Sequence, residues 1–420
     1  MASRLTTQPE TPTILRFYNL KNDSADAALI SGLRDQIITE RDAVIIRTYL
    51  MEKKNSSNIT ILRSIKLAGT LKGWRRFIGP YECLTLLDVY NGIEKIKSAN
   101  SDLGKPFSQN TIYDFIRILK SFLLWMIENE FSPLPEKKIQ KIQPPPKNKM
   151  TKTAGDILTT EEIDRMLKAC MRSRDRAMLS MLYEGGFRIG EIGTITWGDL
   201  AFDAKGVKAN TDRKTGKPRY IRLVDSKPLL IQWMTDYPFE IKSEYPVFLT
   251  ERNEPIMHQG VTKLLRRIAD RADVKKKVNP HIFRHSRITH LIIAGLPDSI
   301  IKTMIWGNLT TEMFQTYAHL TGEDVDNAVM KMHGIINPAE AKKQRGMTPR
   351  QCPTCGEINN HTADFCINCM TALHEDATRS IESLSKDFMS NPQMLATYMT
   401  QIATKAAADA VAAERARIGS

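Results

Sequence analysis

Apolar residues recur at three-and-four spacing through Ala43–Met51, Ile59–Ile78 and Thr111–Ile127, and strand-like alternation is almost absent between Ala25 and Glu130. That period predicts several amphipathic helices packed on one another. The pattern breaks at Phe131. Residues 131–156 hold five prolines, including the run Pro144–Pro146, and five lysines lie between Lys137 and Lys149. Proline lacks the amide donor a helix needs, and a Pro/Lys-rich chain stays extended, so 131–156 is expected to be an interdomain linker. A new helix is predicted at Thr159, where Thr159-Thr160-Glu161-Glu162 supplies a capping box ahead of Ile163, Met166 and Leu167. Further on, Gly206–Asn210 and Arg219–Val224 flank the polar segment Thr211–Pro218 as two strands flank a turn. Helical patterns dominate the rest, down to an alanine-rich end at Thr404–Ala416.

At 420 residues the chain exceeds what one hydrophobic core usually supports. The expected fold is multidomain and mainly α. It comprises an N-terminal tail (1–24), a helical domain (25–130), the linker, a mostly helical domain with a small antiparallel β-sheet (157–335), a cysteine-bearing ribbon (350–372) and a helical tail (373–420). With 42% hydrophobic and 25% charged residues, the composition excludes a disordered, collagenous or disulfide-rich secreted chain. No apolar run of about 18 residues is present and the start lacks the order of a signal peptide, so a cytoplasmic protein with no membrane partner is expected. The net charge of +13 is uneven: +8 over residues 1–150, +8 over 151–350 and −3 over 351–420. Clustered Lys and Arg in the first two segments favour a polyanionic partner, because they release counterions from a phosphate backbone.

Four of the six cysteines form Cys352-Pro-Thr-Cys355 and Cys366-Ile-Asn-Cys369. Two C-x-x-C knuckles offer four thiolates to one tetrahedral ion, which points to a structural zinc site, one ion per chain, with an iron–sulfur centre as the alternative. Cys83 and Cys170 sit alone in helical patterns and are expected to be buried.

Asn279-Pro280 marks a helix start that puts His281, Arg284 and His285 on its first turns. A guanidinium grips two phosphate oxygens and an imidazole moves a proton near neutral pH. Upstream stands Gly185-Gly186-Phe187-Arg188-Ile189-Gly190-Glu191; Lys214 lies in the predicted hairpin turn; downstream are Trp306-Gly307-Asn308 and Tyr317. In this order the segment from about Leu158 to Ile335 resembles the catalytic domain of the tyrosine recombinase (phage integrase, Xer-like) family. The helical segment before the linker resembles that family's core-binding, SAM-like DNA-binding domain.

The resemblance implies a site-specific DNA recombinase that cleaves and rejoins strands through a 3′-phosphotyrosyl intermediate. Tyr317 would be the nucleophile, Arg188 and Arg284 the phosphate clamps, Lys214 the acid for the leaving 5′-oxygen and His281 a proton shuttle or general base. Asn308 stands where the family most often has His or Trp, and Glu191 would orient Arg188. It further implies no catalytic metal and no ATP, double-stranded DNA as partner, four protomers in the synapse, and a helix at Thr321–Gly334 docking on a neighbouring protomer. The alternatives are a non-cleaving DNA-binding protein on the same fold and a type IB topoisomerase-like relaxing activity. Lys275–Lys277 reads as a solvated loop against the DNA backbone, and His290 and His319 as structural or surface groups.

Overall fold

The computed structural model describes residues 8–101, 104–148, 154–211, 219–311, 349–390, 393 and 400. Lys214, Tyr317, His319 and the helices expected at Thr321–Gly334 and Thr404–Ala416 lie outside them. Contacts divide the chain into a unit formed mainly by Pro12–Ile157 and one carrying most of the chain from Leu158 onward.

In the first unit, helices run α1 (Ile14–Phe17), α2 (Ser24–Arg34), α3 (Glu40–Ser57), α4 (Ile61–Trp74), α5 (Leu86–Ser98), α6 (Gln109–Glu128) and α7 (Glu136–Gln140). The segment expected to be a tail thus holds a helical turn that buries Phe17. Starts are fixed by side-chain caps: Thr39, Thr60, Thr85 and Ser108 each accept a backbone amide of the first turn, satisfying donors that the helix itself leaves open. Leu67, Leu71 and Trp74 of α4 pack with Leu119, Phe122, Leu123 and Met126 of α6 in one core, and each such side chain contributes about 1.5–3 kcal/mol over exposure.

Asp42 lies at the centre of this unit, with no exposed surface. Its carboxylate accepts from the amides of Thr39 at 3.0 Å and Tyr81 at 2.9 Å, and from Arg75 Nε at 2.7 Å. Three donors make a buried charge tolerable there.

The expected linker is corrected in its first two thirds. Leu134, Ile139 and Ile142 are buried in the helical core, and Lys120 Nζ donates to the carbonyls of Gln140 and Ile142 at 2.6 and 2.9 Å. The amide of Asn148 donates to Asn110 Oδ1 at 2.8 Å, and Asn110 Nδ2 donates to Asn148 O at 2.9 Å. Three apolar side chains dispersed among prolines and lysines fasten the strap to α6. Cys83 is also corrected: it is exposed, because the single 3₁₀ turn Tyr81–Cys83 gives its buried position to Tyr81, whose hydroxyl donates to Leu71 O at 2.6 Å.

The second unit contains α8 (Thr160–Lys168), α9 (Ser173–Glu184), α10 (Ile189–Ile192), α11 (Lys227–Thr235), α12 (His258–Arg271), α13 (Pro280–Ile293) and α14 (Asp298–Trp306). An antiparallel sheet in the order β1 (Leu200–Asp203), β2 (Gly206–Asn210), β3 (Tyr220–Leu223) accompanies them. The first strand was not foreseen in the sequence. Gly206, the first residue of β2, takes φ +132°, and a Cβ there would lie 2.2 Å from Leu223 O, so only glycine lets β3 close on the strand start. A capping box at Thr159 and the Asn279 side chain on Ile282 N start α8 and α13 as the sequence predicts.

Helix α9 is buried on nearly every side, with Ala177, Met178, Leu179, Met181 and Leu182 at 1% exposure or less, and it packs against α8, α11 and α13. Its last residue, Glu184, accepts from the amides of Val224, Asp225 and Ser226 and from Ser226 Oγ, at 2.6 to 3.0 Å. A buried carboxylate therefore fixes the chain that leads into α11. Burial first, and then Asp225, pushes its pKa upward. On α13, His290 Nδ1 meets the Tyr183 hydroxyl at 2.8 Å, and burial, aided by Arg287, pushes this imidazole down to about 4. None of the described helices is long and apolar enough to cross a membrane.

These buried groups lead to two expected outcomes. Asp42→Ala leaves Arg75 buried without its carboxylate and should destabilise the first unit by about 3–5 kcal/mol, against under about 1 kcal/mol for Asp26→Ala at the half-exposed Arg47 pair; hydrogen-exchange protection of the α4 and α6 amides measures both. The unfolded chain protonates His290 near 6.5 whereas the folded one resists until about 4. Its contribution to stability is therefore complete above pH 6.5 and declines as the pH falls from there toward 4. Urea midpoints at pH 7 and 4.5 should differ less in His290→Gln than in the parent chain.

Candidate active site and metal centre

The turn ahead of α10 is built for close approach. Gly186 adopts φ +53°, and a Cβ on it would reach Ile305 Cδ1 at 2.9 Å. Two residues on, Arg188 opens α10 with its amide on Glu191 Oε2 at 2.7 Å and its Nη1 on Glu191 Oε1 at 3.0 Å. The Arg188 side chain keeps 39% of its surface exposed, so its remaining N–H groups can face a ligand.

Arg284 is reached from another part of the chain. It lies on α13, 7% exposed, with Nη1 donating to Gly186 O at 2.6 Å and Nη2 to Ile305 O at 2.7 Å. Its guanidinium stands 5.5 Å from the centre of the Trp306 ring. Ile305 O also receives Arg219 Nη1 at 2.7 Å, as does Met304 O, while Arg219 Nη2 donates to Glu191 Oε2 at 2.6 Å. Two cations thus sit at the carbonyl end of α14, the negative end of its dipole. The helix stops at Gly307, φ +73°, and Asn308 comes next, its Oδ1 buried with no hydrogen-bond partner among the described residues.

Arg188, Arg284 and the turn before Asn308 are therefore joined in one hydrogen-bonded network, although 96 and 24 residues separate them in sequence. His281 is on the exposed start of α13, one turn before Arg284. Arg219 was missed by sequence reasoning: an arginine beside a polar turn reads as solvent-facing, yet its side chain is 4% exposed. The solvated lysine loop is corrected in part. Lys276 Nζ pairs at 2.8 Å with Glu162, the carboxylate that caps α8, and Lys275 pairs with Asp273. Cys170 is buried as expected.

Near the C-terminus, strands β4 (Arg350–Gln351) and β5 (Ile358–Asn359) pair antiparallel, and helix α15 (Glu375–Ser390) comes after them. In this ribbon Cys352, Cys355, Cys366 and Cys369 place their sulfurs within 4.8 Å of one another, a set that can hold a metal ion. The backbone amide of Cys355 holds the Cys352 thiol down to about 6. A polar lock ties the ribbon to α8 and the start of α11. His361 directs Nδ1 to Asp225 Oδ2 at 2.9 Å and Nε2 to Asp164 Oδ1 at 3.1 Å. Asn360 Nδ2 donates to Asp225 O at 3.1 Å, and Lys227 pairs with Glu357 at 2.7 Å. Against the downward pull of burial, Asp225 and then Asp164 hold His361 above its ordinary pKa.

Residues 156–323 match the phage integrase family. Over 171 residues the chain is 30% identical to the tyrosine recombinase XerC of Pelotomaculum thermopropionicum, covering 38% of this chain and 54% of that protein. It is 25% identical over 310 residues to the XerC of Listeria monocytogenes serotype 4a, covering 68% and 95%. The fold is similar to that of a DNA-bound fragment of lambda integrase, with a TM-score of 0.51 at 15% identity over 67% of this chain and 97% of that one. With the match running from the Arg188 turn through the position of Tyr317, residues 156–323 carry a phage integrase family domain, and the chain is similar to tyrosine recombinases over that domain and beyond it.

Proposed function

We propose that this chain is a site-specific recombinase in which Tyr317 attacks a phosphate of duplex DNA, forming a 3′-phosphotyrosyl bond and releasing a 5′-hydroxyl. The observation that carries the reading is that Arg284 donates to both the Gly186 and the Ile305 carbonyls, the latter shared with Arg219, which ties it to the Arg188 turn and to the end of α14. Arg188 and Arg284 neutralise the charge that collects on the equatorial oxygens of the transition state. Lys214 protonates the departing 5′-oxygen, His281 moves a proton at Tyr317, and the Asn308 amide donates to a phosphate oxygen. The tyrosyl ester conserves the energy of the broken bond, so ATP is not consumed.

The partners are double-stranded DNA and further copies of the chain, four in a synapse, with residues 12–157 and the catalytic unit both contacting the duplex. The basic excess of the first 350 residues supports this. In the ribbon the ion is zinc. A tetrahedron with metal–sulfur bonds of about 2.3 Å has edges of about 3.8 Å, and the Cys352–Cys369 and Cys355–Cys366 sulfurs lie 3.4 and 3.6 Å apart. Zinc there holds a segment too small to keep a core of its own.

Tyr317→Phe should abolish the covalent protein–DNA adduct on a nicked suicide duplex and leave binding intact, while Arg188→Ala and Arg284→Ala each slow single-turnover cleavage by about a hundredfold or more. An adduct formed by the phenylalanine variant would overturn the assignment. Cys352→Ser with Cys355→Ser should remove one zinc per chain by metal analysis and lower DNA affinity or assembly, with cleavage of bound suicide substrate near normal. A metal-free parent chain would overturn the zinc site.

A further inference from the structure

Arg219 has no role in the proposed strand-cleavage chemistry, yet it is among the most constrained side chains of the second unit. Its Nη1 spans the successive carbonyls of Met304 and Ile305, both at 2.7 Å. Its Nη2 reaches Glu191 Oε2, the same oxygen that receives the Arg188 amide. Its Nε is buried with no hydrogen-bond partner among the described residues. Its own carbonyl accepts from Thr211 N at 3.1 Å and Thr211 Oγ1 at 3.3 Å, which pins the strand end at the hairpin neck. Burying a cation with one donor unmatched is a poor way to gain stability, since an apolar side chain of that volume serves as well or better. What a guanidinium supplies uniquely is a planar fork that holds several acceptors in one fixed relation.

Resting on the reading of Arg188 as a phosphate clamp, we propose that Arg219 is a positioning residue: anchored on the last carbonyls of α14, it fixes the Glu191 carboxylate, which in turn fixes Arg188. Two guanidiniums share that single carboxylate. Neutralising one leaves a net positive charge in the triad, directed through the exposed part of Arg188.

The test is a mutant cycle on the full-length chain. R219Q should lower the single-turnover cleavage rate at saturating suicide duplex by about a hundredfold, the scale of a misplaced catalytic group, with affinity for the duplex changed less than about threefold. R219K, which keeps the charge without the fork, should fall between. In an R188A background R219Q should cost less than about threefold further, because its effect runs through Arg188; a full multiplicative loss overturns the proposal. If R219Q does not fold, R219K and R188A/R219K form the same cycle. A second readout needs no cleavage. Side-chain N–H signals of Arg188 in 1H–15N spectra should exchange with water about tenfold faster in R219Q. Unchanged exchange overturns the proposal, whereas faster exchange in a chain that forms no tyrosyl adduct upholds the positioning and removes only the clamp reading.

Discussion

The last carbonyl groups of α14 have no partner within their own helix, and Ile305 is fully buried, so water cannot supply one. Arg284 and Arg219 supply it together, from a helix and from a strand end that are far apart in sequence. Much of the site depends on this backbone requirement. The same two side chains reach Gly186 and Glu191, so satisfying one helix terminus also sets the turn on which Arg188 stands.

Each unit is organised around a buried carboxylate that gathers backbone amides. Asp42 joins the start of α3 to the Tyr81 turn and to Arg75, and Glu184 joins the end of α9 to the start of α11. The two differ in how their charge is balanced. Asp42 has a cation in contact; Glu184 relies on three amides and a hydroxyl, and its pKa rises. Apolar packing sets which helices meet, while these hubs set where their ends stop.

Legibility in the sequence tracked the range of the interaction. Caps at Thr159 and Asn279 were readable because donor and acceptor are three residues apart. The helical patterns were readable because burial repeats with the helix period. The order of Arg188, Arg284 and Asn308 was visible, but what unites them was not: Arg219 meets its acceptors 28 and 86 residues away, and no local pattern marks it. The strap to Asn148 was misread because its composition speaks of solvent, while three apolar residues decide its place. Cys83 was misread because a single 3₁₀ turn carries no periodicity.

The lock at His361 has a consequence for how the molecule comes into being. Its acceptors Asp164 and Asp225 precede it by 197 and 136 residues. At about 5–20 residues per second, they emerge from the ribosome on the order of ten seconds before the imidazole that will bridge them. During synthesis Asp164 and Asp225 are therefore made without their imidazole partner, and the ribbon can bridge them only when translation has passed His361. A chain interrupted in the stretch between Tyr317 and His361 would hold every residue of the proposed chemistry and still lack that seal. Synthesis past His361 is thus recorded in the folded protein as the filling of one site.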